Sequence, residues 1–194
     1  MPSRRAVLSA LAVAAVPGLA ACGESSADQG QSFASGDGII EQVTPAERKV
    51  LPSITGGLLQ GGTYDSRDLG GMIVVYNVWG SWCAPCREEA PELRKVAKQT
   101  RAEGVRFIGI NVRDNDASAL AFERRYDITY PSIRTADSQE ALLAFGSQLP
   151  PSAVPSTMVV DREGRLAARV IGKTSYGTLS ALVEDVVAED GGRG

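Results

Sequence analysis

The chain has 194 residues, a formal net charge of −3, 43% hydrophobic residues and no histidine. That length holds one globular domain with a tail or two, and the acidic balance with no Lys/Arg-rich run excludes a nucleic-acid footprint. Without histidine, Ser-His-Asp and Cys-His catalysis are excluded, and so is the commonest metal ligand.

The first segment reads as an address. Arg4 and Arg5 precede an apolar stretch from Ala6 to Ala21, broken by Pro17-Gly18 and ending in small residues, the layout of an export signal peptide over residues 1–21. A membrane span needs about 20 apolar residues, and this stretch is shorter and interrupted. Leu19-Ala20-Ala21-Cys22 resembles the lipobox of bacterial lipoproteins, which implies lipidation at Cys22 and an anchor on the extracytoplasmic face of the cell membrane. Ser3-Arg4-Arg5-Ala6-Val7-Leu8 partly resembles a twin-arginine signal but lacks its Phe and Lys, leaving the export route open. Loss of Arg4 and Arg5 leaves the mature chain two charges more acidic. Residues 22–50 are expected to form a lipidated flexible tether, since Gly23 to Gln42 is mostly Gly, Ser, Ala, Asp and Gln.

The folded domain is expected over 51–190. Ile54 to Leu69 alternates glycine pairs with short apolar pieces, as in a hairpin or loop on a sheet edge. Met72–Val78 is a β-branched run suited to a strand buried on both faces. A helix then opens at the cysteine pair and reaches about Glu103, with Pro85 in its first turn and Gly104 as a stop. Val105–Val112 reads as a second strand, Ala117–Tyr126 as an amphipathic helix, Pro131–Arg134 as a short extended piece and Ser138–Phe145 as a helix. Thr157–Asp161, the turn Arg162-Glu163-Gly164 and Leu166–Ile171 form a hairpin, and Thr174–Val187 closes as a helix. The order predicts an α/β domain.

The chemistry lies in Cys83-Ala84-Pro85-Cys86. With Cys22 lipidated, the remaining two of the three cysteines form a C-x-x-C pair in a disulfide-permissive compartment. Structural zinc needs about four Cys or His ligands, which this chain lacks; neither a metal nor any other cofactor is expected. A static bridge across so small a loop restrains the unfolded chain little. Cys83 instead falls where a buried strand meets a helix start, beside unpaired N–H groups and the positive end of the helix dipole. A thiol of pKa about 8.5 needs a shift of about 1.5 units, or about 2 kcal/mol, to be half ionised at pH 7. The helix end supplies about 0.3–2 kcal/mol, and a hydrogen bond from the Cys86 thiol completes the shift. Cys83 is therefore the expected attacking sulfur and Cys86 the resolving one.

The run Asn77-Val78-Trp79-Gly80-Ser81-Trp82-Cys83-Ala84-Pro85-Cys86-Arg87-Glu88-Glu89-Ala90-Pro91 resembles the active-site segment of TlpA/ResA-like thioredoxin-fold proteins. The likeness continues through Gly109-Ile110-Asn111-Val112 and Ala153-Val154-Pro155-Ser156-Thr157, covering about Leu51 to Val187. It implies a thioredoxin-like fold with a central mixed sheet flanked by helices and a helix/strand insertion. It also implies a cis bond at Val154-Pro155 beside the cysteines, with the backbone before Pro155 pairing with substrate. Glu89, three residues after Cys86 on a neighbouring helix line, matches a family acid that moves protons at the thiols; acids near a helix start are favourable anyway, and Glu88 fits that reading. Asn77 stands where ordinary thioredoxins carry a buried acid, which shifts the proton chemistry to Glu89. Trp79 and Trp82 suit packing and a lid, an exposed Trp82 contacting a partner protein.

The expected function is an extracytoplasmic thiol-disulfide oxidoreductase. It would act as a monomer, reduce disulfides in exported proteins and draw electrons from a membrane thiol donor. In related proteins a frequent task is reducing apocytochrome c before haem attachment in cytochrome c biogenesis. Ala84-Pro85 lacks the histidine of strongly oxidising members of the fold, which favours a reducing pair. Two alternatives remain, a disulfide-donating oxidase and a non-enzymatic copper- or thiol-binding lipoprotein using the cysteines as soft ligands, while the nearest enzymatic rival, a peroxidase, lacks its sequence pattern. The peroxidase pattern P-x-x-x-T/S-x-x-C would need other residues at Tyr76 and Gly80.

Overall fold

A strand apolar on both faces belongs at the centre of a layered domain, and Ile73–Trp79 occupies that place with every residue buried. The computed structural model describes residues 32–35 and 38–191. Its elements run β1 (Ser32–Ser35), β2 (Gly38–Gln42), β3 (Thr55–Gly57), β4 (Thr63–Asp65), β5 (Ile73–Trp79), α1 (Ala84–Thr100), β6 (Val105–Asn111), α2 (Asp116–Tyr126), β7 (Ser132–Ile133), α3 (Thr135–Leu143), β8 (Ser156–Val160), β9 (Leu166–Ile171) and α4 (Tyr176–Gly191). β1, β2, β9, β8, β5, β6 and β7 lie side by side in one sheet in that order, and β3 and β4 form a separate hairpin. β5 runs parallel to β6 and antiparallel to β8, so the sheet is mixed.

Alternate residues of β5 serve the two faces. Ile73 and Val75 pack with Leu93 and Val96 of α1 and Leu179 and Val183 of α4. Val74, Tyr76 and Val78 pack against Ile54 and Tyr64 of the hairpin region and Ala141 of α3. At the cysteine end, Ala119 and Phe122 of α2 close over Trp79 and Ala90. Helix α1 tightens into a 3-10 turn at Arg101–Glu103, and Gly104, at φ +82°, ends it in the left-handed region that only glycine enters freely.

Gly109 in β6 marks a close approach. A Cβ there would lie 2.2 Å from Ser132 Oγ and 2.7 Å from Trp79 Nε1. Gly109→Ala is expected to cost about 2 kcal/mol through overpacking, read as a lower urea midpoint at unchanged m-value.

The start of the folded domain differs from the sequence expectation. The tether expected to reach residue 50 ends earlier, because β2 pairs antiparallel with β9, Ile39 opposite Ile171 and Gln42 opposite Ala168. Val43 N–H then donates to Ala167 O (2.8 Å), and the Arg48 guanidinium pairs with Asp161 and Glu189. Main-chain pairing with the open edge of β9, together with Ile40 packing on the core beneath it, turns this short segment into a strand. The expected signal peptide 1–21 and Cys22 lie outside the described residues. Among the described residues, no helix is long and apolar enough to cross a membrane.

Candidate active site

The chain leaves β5 at Trp79 and turns through Gly80-Ser81-Trp82 into α1. Asp114 holds this turn by accepting from Ser81 N–H (2.7 Å) and Ser81 Oγ (2.9 Å). The Arg87 guanidinium donates to Ser81 O (2.7 Å) from the other side. Cys83 then occupies the N-cap of α1 with extended backbone, and its sulfur accepts from Cys86 N–H at 3.2 Å. Pro85 sits in the first helical turn, where its missing N–H costs nothing. A disulfide joins Cys83 and Cys86, which are 3% and 1% exposed. The sulfur of Cys83 thus receives the hydrogen bond and dipole that stabilise a thiolate.

Behind the pair lies a buried polar cluster. Glu89, one turn along α1 and 1% exposed, accepts from Asn77 Nδ2 (2.9 Å) on Oε1 and from Thr174 N–H (3.0 Å) on Oε2. Asn77 also donates to Thr157 Oγ1 (3.2 Å) on β8. Burial pushes the Glu89 carboxyl up to about 7, opposed by the Thr174 and Asn77 hydrogen bonds and by the charge of Lys173. A carboxyl poised near neutrality can take up and return a proton at working pH.

The third wall is the segment before β8. The Val154–Pro155 peptide bond is cis, and Val154 packs against the cluster containing Cys83, Cys86 and Trp79. Pro155 O accepts from Gly172 N–H (3.0 Å), two residues before Thr174. One short loop therefore touches both the cis-proline segment and Glu89. The two tryptophans divide. Trp79 is buried and stacks on Phe122 with ring centroids 4.5 Å apart; Trp82 is 46% exposed, pinned by Nε1 donating to Val112 O (3.2 Å).

The structure gathers Asn77, Trp82, Cys83, Pro85, Cys86, Glu89, Val154 and Pro155 at one end of the sheet. Sequence reading missed three neighbours. Thr174 contributes a main-chain N–H, which no side-chain pattern announces. Tyr130 lines a small cavity behind Cys86 together with Asn77, Trp79 and Phe122. Glu123, on the buried side of α2, is a second acid that burial pushes up, with the Ser132 hydroxyl opposing; its place between Phe122 and Arg124 gave no signal beyond helical spacing. Among the described residues, no group of three or more Cys, Asp or Glu side chains converges to hold a metal ion.

Comparison with known proteins places this geometry. The sequence profile of the AhpC/TSA family matches residues 48–169. The thiol-disulfide oxidoreductase ResA of Bacillus cereus is 24% identical over 138 residues, which span 71% of this chain and 77% of that protein. The crystal structure of a secreted thiol-disulfide isomerase from Corynebacterium glutamicum superposes with a TM-score of 0.73 at 31% identity, covering 82% of this chain and 99% of that one. A DsbF homologue from Corynebacterium diphtheriae gives a TM-score of 0.70 at 33% identity, covering 75% and 92%.

Proposed function

The chain belongs to the AhpC/TSA family and is a thiol-disulfide oxidoreductase of ResA/DsbE type with a thioredoxin-like fold; from that premise we propose that it reduces disulfides of exported proteins through Cys83 and Cys86. The observation that carries this reading is the redox pair at the start of α1, with Cys83 as N-cap and a buried acid of pKa about 7 behind it. In the reduced protein, the Cys83 thiolate attacks one sulfur of a partner disulfide and forms a mixed disulfide. The partner's other sulfur leaves as a thiolate and takes up a proton. Cys86 passes its proton to Glu89 and attacks Cys83 Sγ, releasing the second partner thiol and leaving the intramolecular disulfide. A membrane thiol donor then returns two electrons. Val154, before the cis bond, offers its main chain to the substrate, and Trp82 contacts the partner beside Cys83.

The reading includes an extracytoplasmic location and a lipid anchor at Cys22, supported by the leader sequence and by the secreted character of the Corynebacterium glutamicum neighbour. Paired cysteines of exported proteins, those of apocytochrome c among them, are the substrate class. A peroxidase is disfavoured at two positions. Tyr76 is a core residue whose hydroxyl bonds the Tyr64 hydroxyl (2.7 Å), and a Cβ on Gly80 would meet Trp82 Nε1 at 2.5 Å.

The test is the equilibrium reduction potential, followed by tryptophan fluorescence in dithiothreitol and glutathione buffers. A value at or below about −270 mV is expected; one near about −120 mV would make the protein a disulfide donor, and a pair that does not cycle would sink both readings.

A further inference from the structure

The disulfide is flanked on its α2 side by cations. Arg87 follows Cys86 on α1, and Arg125 projects from α2 across a groove of about 340 Å³ whose walls include Ser81, Ser118 and Tyr126. Beside Cys83 in the chain, the exposed Trp82 ring carries the Arg113 guanidinium over it, 4.6 Å from its centroid. Arg113 holds φ +51°, in the left-handed region that a residue with a side chain enters only at a cost. All three arginines are exposed. Among the described residues, no carboxylate lies within salt-bridge distance of any of them.

The acids nearest in sequence are committed elsewhere. Asp114 accepts from Ser81, Asn111 and Asn115, and Glu88 pairs with Lys173. The chain as a whole is acidic, so the cations beside the sulfurs are not a by-product of net charge. Unpaired cations on the rim of a reactive centre raise the encounter rate of oppositely charged partners and repel like-charged ones.

We propose that the arginine-lined groove between α1 and α2 is a docking surface for the polypeptide substrate, and that it selects segments carrying Asp or Glu close to the disulfide to be reduced. The proposal rests on the thiol-disulfide reading above and adds the substrate's charge. A carboxylate in the groove meets Arg87 and Arg125. The chain around its cysteine then crosses Trp82 and Arg113 to reach Cys83.

The test uses the reduced full-length chain in detergent and three peptides that differ only in the residues flanking one disulfide: Glu, Gln or Lys. The Glu peptide should react about tenfold faster than the Lys peptide at low ionic strength, and the ratio should fall to about twofold in about 0.5 M NaCl as the charges are screened. Arg125→Glu combined with Arg113→Gln should bring the low-salt ratio to about twofold or below. Arg124→Gln, exposed on α2 and outside the groove, should keep it. Because each comparison is a ratio within one protein, a change in Cys83 reactivity cancels. Equal rates for the three peptides, or an unchanged ratio in the double variant, would overturn the docking proposal. Failure to reduce even uncharged hydroxyethyl disulfide would instead sink the redox reading on which it stands.

Discussion

Cys86→Ala is expected to arrest the protein as a mixed disulfide with its substrate, while Cys83→Ala loses thiol-disulfide exchange altogether. The asymmetry follows from position. Cys83 caps α1 and accepts the Cys86 N–H at 3.2 Å, so its sulfur carries the stabilised negative charge. Cys86 lies inside the first turn, 1% exposed, and meets the Cys83 sulfur, with which it forms the intramolecular disulfide. Both variants should fall at least about 10³-fold in turnover, because nucleophile and resolving group act as a unit. Only Cys86→Ala should yield a covalent adduct, visible by mass spectrometry of a non-reduced sample and released by dithiothreitol. The experiment belongs in a Cys22→Ala background, which removes the third thiol. An adduct formed by Cys83→Ala and not by Cys86→Ala would reverse the assigned roles.

Glu89→Gln should reshape both the pH profile and the stability curve. The carboxyl is raised from 4.5 to about 7 by burial, so the folded protein binds a proton that the unfolded chain has already released over this window. Stability contributed by the protonated acid is fully present below about pH 4.5 and is lost as the pH climbs through 7. The loss is of the order of 3 kcal/mol. The neutral amide does not titrate, so the denaturation midpoint of Glu89→Gln should decline less between pH 5 and 8 than that of the wild type, the raised Glu123 contributing equally to both. One side of the new amide faces a donor, Asn77 Nδ2 or Thr174 N–H, and this costs part of the gain. Turnover should drop about 100-fold, the usual scale for a missing general acid-base group. Superimposable pH–rate profiles for the variant and wild type would remove Glu89 from the proton path.

Segments whose structure is decided locally were legible in advance. The β-branched run of β5, the proline and glycine that bound α1 with its 3-10 turn, and the hairpin of β8 and β9 around Arg162-Glu163-Gly164 each carry their own period and punctuation. Segments decided by a distant partner were not. β2 is a strand because β9 offers an open edge more than a hundred residues along the chain, and the Ile39-Ile40 pair in an otherwise polar stretch is too short to advertise that edge. The hairpin β3–β4 was foreseen as a hairpin or loop on a sheet edge, and it lies against the edge strand β7. Its place follows from Leu59 N–H donating to Ser132 O and Arg134 N–H donating to Gly57 O, both at 2.9 Å.

The same division runs through the site. Sequence by itself determined the type of chemistry: two cysteines three apart at a strand-to-helix junction, with no histidine to support another mechanism. It also named Glu89, through helical spacing and family likeness. Tertiary structure alone decided how that acid is tuned, because its acidity depends on burial and on donors 12 and 85 residues away, Asn77 and Thr174. It also brought Arg87 of α1 and Arg125 of α2 to one groove and laid Arg113 over Trp82, which happens only when α2 packs against α1. Reactivity of a thiol pair is local and can be read along the chain; dielectric environment and charge neighbourhood are sums over space, and the chain acquires them only by folding.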